Sequence, residues 1–139
     1  MNKLTLAAGI TAMVWSCAME PTNQEEYRQL NLEVAAAVDQ HEQTQDTTTD
    51  DRECREERAR YQAEVRPRAQ RMRELSGGMG ADRRGMCDSM MRSLDEYQGR
   101  DCGASTEENR RETRSHCDRM RQLTASEEQR DRERQGCTW

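Results

Sequence analysis

Apolar residues along this chain recur at steps of three and four, the period of a helix with one buried face. Thr22 to Glu25 reads as a capping box opening a first helix, and Tyr27, Leu30, Val34, Ala37 and His41 share its stripe. Residues 42–50 have no period and read as a polar linker. Asp50 or Asp51 can cap a second helix, with the stripe Cys54, Arg58, Tyr61, Val65, Arg68 or Ala69, Met72 and Leu75 interrupted by Pro67. The stretch SGGMG stops it, and Gly77 and Gly78 suit the left-handed position past a helix end. A third helix is expected from Asp82 to Gln98, burying Met86, Cys87, Met90, Met91, Leu94 and Tyr97. After the loop GRDCGAS a second capping box, Ser105 to Glu108, opens a fourth helix with Thr113, Cys117, Met120 and Leu123 on its face. Beyond Ala125 come polar helix formers with nothing to bury, a frayed extension or a separate short helix. The expected fold is all-α: a small, disulfide-braced antiparallel bundle of three main helices, with an extra, more loosely attached N-terminal helix.

One stretch breaks the periodicity. Leu4 to Trp15 is continuously apolar apart from threonine and glycine, follows the single basic residue Lys3, and contains no acid. That is the layout of an export signal, too short for an ordinary spanning helix of roughly 20 residues. Lys3 is also the only lysine, and every later basic side chain is arginine. Residues 19–53 hold 10 acids against 2 arginines, a net of −8, whereas residues 54–139 hold 17 acids against 19 arginines. The chain therefore divides into a signal peptide over 1–16, an acidic tether with one helix over 17–50, and a cysteine-braced helical domain over 51–139. The arginines alternate with acids, as in REERAR, so no sustained positive field exists to hold nucleic acid.

The signal ends in VWSC, residues 14–17. This resembles the lipobox of bacterial lipoproteins, although Trp15 is larger than usual at its position. The resemblance covers only the first 17 residues. It implies acylation of the Cys17 thiol, cleavage before it, and a membrane partner reached through that lipid anchor. Ala18 follows where an aspartate would signal inner-membrane retention, so the resemblance implies the outer membrane. The alternative is a periplasmic or secreted protein, cleaved before Met19, since Ser16 and Ala18 are small residues at the required positions.

Outside the signal only eight Leu and Val residues remain, with neither Ile nor Phe. So thin a core calls for covalent help, which an oxidising compartment permits. Cys54 lies 24 residues before Gly78 and Cys102 lies 24 after it, which puts them level across an antiparallel turn. Cys87 and Cys117 lie 15 residues to either side of Cys102. The expected disulfides are therefore Cys54–Cys102 and Cys87–Cys117, and Cys137 is left as an unpaired thiol able to link a dimer.

Candidate chemistry is sparse. A sulfur-rich face of Met86, Met90, Met91 and Met120, beside His116, has the soft ligands of a copper site. Methionine is equally the natural filler of a core without Phe or Ile, so no metal and no cofactor is expected. His41 reads as a half-buried helix residue and His116 as a surface one. Neither has the base and orienting group of a nucleophilic site, so no enzyme is expected. The expected function is a non-enzymatic cell-envelope lipoprotein, a structural or binding module for an unknown protein partner. The alternative is a periplasmic soft-metal binder.

Overall fold

The computed structural model describes residues 21–136, and among them every regular element is helical. The long helices are α1 (Pro21–Thr47), α2 (Asp51–Leu75), α3 (Ala81–Gln98) and α4 (Thr106–Gln135). Thr22 lies inside α1 rather than capping it, and most of the expected 42–50 linker is helix. Asp50 caps α2, accepting from the Arg52 amide at 2.7 Å. Ser105 caps α4, accepting from the Glu108 amide at 3.2 Å. Pro67 sits within a continuous α2. The stretch 126–135 continues α4 without a break.

The helices run up-down-up-down around a square. Successive helices pack together, and α1 closes the ring by packing on both α2 and α4. The loose attachment expected for α1 is thus corrected: Tyr27, Val34, Ala37, Val38 and His41 are all buried. Its 27 residues span about 40 Å at 1.5 Å each, enough to line the whole bundle. The core also includes Tyr61, Val65, Met72, Met90, Leu94 and Met120. Each fully buried side chain of this size contributes roughly 1.5–3 kcal/mol.

Buried side-chain amides reinforce the seams by donating to main-chain carbonyls on neighbouring elements. Asn31 reaches Thr124 (3.1 Å), Gln45 reaches Cys54 (3.1 Å) and Gln62 reaches Leu94 (2.9 Å). Ion pairs run between helices as well as along them. Glu26 meets Arg71, Glu33 meets Arg68, Asp95 meets Arg66, and Arg121 holds both Asp39 and Glu42.

The α2–α3 turn follows the expected register. Gln62 lies opposite Leu94 and Arg55 opposite Asp101, both pivoting on Gly78. Cys54 and Cys102 are accordingly level, with Cα atoms 6.0 Å apart, and form a disulfide. Gly77 and Gly78 are not left-handed, however. They form a short 3₁₀ turn, and the positive φ of +100° falls on Gly80, just before α3. A side chain there would be strained although the space is open.

The α3–α4 turn departs from the expected register, and the Cys87–Cys117 pairing is corrected with it. Ser93 meets His116, Tyr97 meets Thr113 and Arg83 meets Glu127, so the pivot lies near residue 105 rather than at Cys102. The start of α4 reaches past the end of α3, where Asn109 donates to the Cys102 carbonyl at 3.0 Å. Cys87 is thereby level with Leu123, about six residues or 9 Å along the axis from Cys117. A disulfide needs Cα atoms within roughly 7 Å. Both are buried free thiols, Cys87 beside the Tyr27 hydroxyl (3.4 Å) and Cys117 toward the Val38 carbonyl (3.9 Å). Cys17 and Cys137, expected as the lipid attachment point and the unpaired thiol, lie outside the described residues.

Candidate functional site

Each helix contributes one ring to a cluster in the half of the bundle that holds the disulfide: His41 from α1, Tyr61 from α2, Tyr97 from α3 and His116 from α4. Adjacent helices stack their rings. His41 lies on Tyr61 with centroids 4.1 Å apart and planes 16° from parallel, and Tyr97 lies on His116 at 4.3 Å and 3°. Opposite helices are joined by hydrogen bonds, His41 Nε2 to the Tyr97 hydroxyl at 2.8 Å and His116 Nε2 to the Tyr61 hydroxyl at 2.7 Å. Every histidine thus stacks on one tyrosine and bonds the other, which ties all four helices at one level.

Both histidines are neutral, and their protons can be assigned. Burial drives His41 down to about 4, against an opposing pull from Glu57. Burial drives His116 to about 3, helped by the charge of Arg58 and by any proton taken up at His41. Burial raises the Glu57 carboxyl, but hydrogen bonds from Arg60 and His41 outweigh it and hold the group below its usual value. Glu57 is therefore an anion and only accepts, so His41 Nδ1 carries the proton toward it at 3.1 Å. His41 Nε2 then accepts from the Tyr97 hydroxyl, whose oxygen lies 2.8 Å from Thr113 Oγ1, itself a donor to the Asn109 carbonyl at 3.0 Å. On the other diagonal Tyr61 donates to His116 Nε2, and His116 Nδ1 donates to Ser93 Oγ at 2.9 Å. Reversing that chain would leave the buried Tyr61 proton without an acceptor. Burial also raises both phenols, Tyr97 to about 12.

This cluster was only partly legible in the sequence. His41 is fully buried rather than half-buried, and His116 is 6% exposed rather than at the surface. Apolar spacing puts Leu123 on the α4 stripe, whereas the buried face runs Thr113, His116, Cys117, Met120, Thr124, Glu127. Tyr61 and Tyr97 fell on their expected stripes. The sequence signal is a spacing: each of the four helices carries an aromatic or imidazole ring at a matching height.

Arg58 supports the cluster from its outer edge. Its guanidinium lies 4.7 Å over the face of Tyr97. Its Nη1 donates to the Arg100 carbonyl at 3.1 Å and its Nη2 to the Asn109 carbonyl at 3.2 Å.

The sulfur-rich residues do not converge on His116. Both nitrogens of that ring are engaged, and Met90 and Met120 are fully buried among the core side chains. Met86 is at the edge of the core and Met91 is half-buried against it. Among the described residues no group of three His, Cys, Asp or Glu side chains is placed to hold a metal ion. Chemically the ring cluster is a closed set: each imidazole nitrogen and each phenol is already bonded to a protein group. Compared with known protein families, curated proteins and solved structures, the chain has no match.

Proposed function

We propose that the protein is a non-enzymatic lipoprotein of the cell envelope, in which a lipid on Cys17 holds a rigid helical bundle that acts as a structural or binding module. The observation that carries this is the closure of the ring cluster. Its two imidazoles, the groups best suited to proton transfer near neutrality, are engaged at both nitrogens and held neutral by burial. These bonds spend the imidazoles on fastening helices. The VWSC sequence and the preceding apolar run support the anchor.

The anchor would also orient the bundle. Three residues lie between Cys17 and Pro21, a span of at most about 14 Å when fully extended. The end that holds the start of α1 and the 76–80 turn would then lie against the membrane, and the disulfide end would stand about 40 Å out.

The test is the intact mass of the protein purified from the membrane fraction of its own cells. A mature chain beginning at Cys17, heavier by a diacylglycerol and an N-acyl group, is the expected result. An unacylated chain beginning at Met19 would instead establish plain secretion, and an unprocessed leader would remove export altogether. A non-reducing gel of the same sample shows whether Cys137 links two copies.

A further inference from the structure

We propose that the cleft beside the Cys54–Cys102 bridge binds a small organic anion, one carboxylate or phosphate group on a short apolar body. The cleft has a volume of about 410 Å³ and lies between the first turns of α2 and the end of α3. Its walls include Arg55, Arg58, Ala59, Gln62, Tyr97 and Arg100. The assignment does not depend on the lipid anchor at Cys17.

Arg58 points to an anion. It is 7% exposed, and a buried cation is costly unless a carboxylate meets it closely. Its main-chain bonds, to the carbonyls of Arg100 and Asn109, are to neutral groups. The carboxylate that faces it, Glu112, stands 3.5 Å from Nη1 and is shared with Arg100 at 3.7 Å. The Arg58 Nε–H has no acceptor among the described residues. Arg58, a buried charge with a divided counterion, forms one wall of an open cleft, and its idle Nε–H is shut off from solvent.

The mouth adds two more cations. Arg55 is exposed and pairs with exposed Asp101 at 3.0 Å, and Arg100 is 62% exposed. Both can turn inward, because exposed pairs of this kind are worth only about 0–1 kcal/mol. An oxyanion in the cleft would take charge-assisted hydrogen bonds from these guanidiniums. Of the remaining walls, which include the Asp101 carboxylate, two suit a carbon body. Ala59 is apolar, and Tyr97 has one face under Arg58 and the other on His116, which leaves its ring edge for a ligand.

The test is a titration of the oxidised, folded protein with butyrate, butyl phosphate, inorganic phosphate and neutral butyramide, followed by ¹H–¹⁵N spectra that include arginine Nε–H signals. Saturable shifts of the Arg58 Nε–H and of the Gly99–Cys102 amides are expected with an anion and not with butyramide. Comparing butyrate with the two phosphates tells which oxyanion is preferred. Arg55→Gln and Arg100→Gln, both at exposed positions, should each weaken binding about fivefold or more, while Arg55→Lys should retain most of it. The absence of saturable shifts with all three anions would overturn the assignment. So would equal shifts with butyramide, or binding undiminished in the Arg55→Gln/Arg100→Gln double variant. The ligand series on the unaltered protein decides the matter even if a variant folds poorly.

Discussion

The two halves of the core are held by different physics. Toward the disulfide, four rings meet in hydrogen bonds and stacks, with Glu57, Arg58, Ser93 and Thr113 around them. Toward the other end Val34, Met72, Met90 and Met120 pack without directional bonds, closed off by a buried Arg83–Glu127 ion pair at 2.9 Å. Directional bonds fix which helix meets which and at what height. Thioethers and branched chains fill the space that is left. The first half can be disturbed by protons, whereas the methionine packing cannot, so changes of condition and of sequence should separate them.

Acid should have the largest effect. The folded histidines have values near 4 and 3, against about 6.5 in an unfolded chain. Between those values the unfolded chain binds protons that the folded chain refuses. The stabilisation is therefore complete above pH 6.5 and falls as the pH drops toward the folded values. The two sites correspond to losses on the order of 3 and 5 kcal/mol. Glu57, with its depressed value, adds a loss of the same sign below about pH 4.5. Urea midpoints measured from pH 7.5 to 4 should be level at first and then fall steeply. A flat profile across pH 6.5 to 4.5 would mean that the imidazoles are not buried as described.

Reduction of Cys54–Cys102 comes next. Opening its 48-residue loop should cost about 4 kcal/mol on the chain-entropy account, and melting with and without a phosphine reductant measures it. An unchanged melting temperature would show that the bundle does not rely on the bridge. In the methionine half, Met90→Ala should cost about 2–5 kcal/mol through the cavity it leaves. That penalty should be the same at pH 7.5 and pH 5.5, and a strongly pH-dependent penalty would blur the distinction between the halves. Tyr61→Phe should cost about 1–3 kcal/mol, since it leaves His116 Nε2 without a donor. Arg71→Ala, which breaks the exposed pair with Glu26, should change denaturation by less than about 1 kcal/mol.

Much of the scaffold was legible in the sequence because local signals carried it. Asp50 and Ser105 cap the helices they were expected to cap, and the α2–α3 hairpin keeps one register about Gly78, which located the bridge. The failures share one cause. Counting residues about Cys102 assumes that both helices of a hairpin end at the turn, but α4 begins its packing beside the loop and shifts the level by six residues. That displacement is set by Asn109 and Arg58 binding main-chain carbonyls, contacts that no apolar period records. His116 and Thr124 were lost in the same way, as polar residues on a buried face. The integration of α1 was missed because its end, residues 42–47, is wholly polar although Gln45 is buried. The anion cleft had no sequence signal, since it depends on where a loop leaves Arg58.

Both imidazoles of the ring cluster are neutral and bonded at each nitrogen. Nitrogen NMR of ¹⁵N-histidine-labelled protein tests it most directly, because the two ring nitrogens report protonation and tautomer separately. At pH 6 both His41 and His116 should be neutral and protonated at Nδ1, with no imidazolium signal until the pH approaches 4. An imidazolium at either position at pH 6, or rings averaging freely between tautomers, would contradict the account.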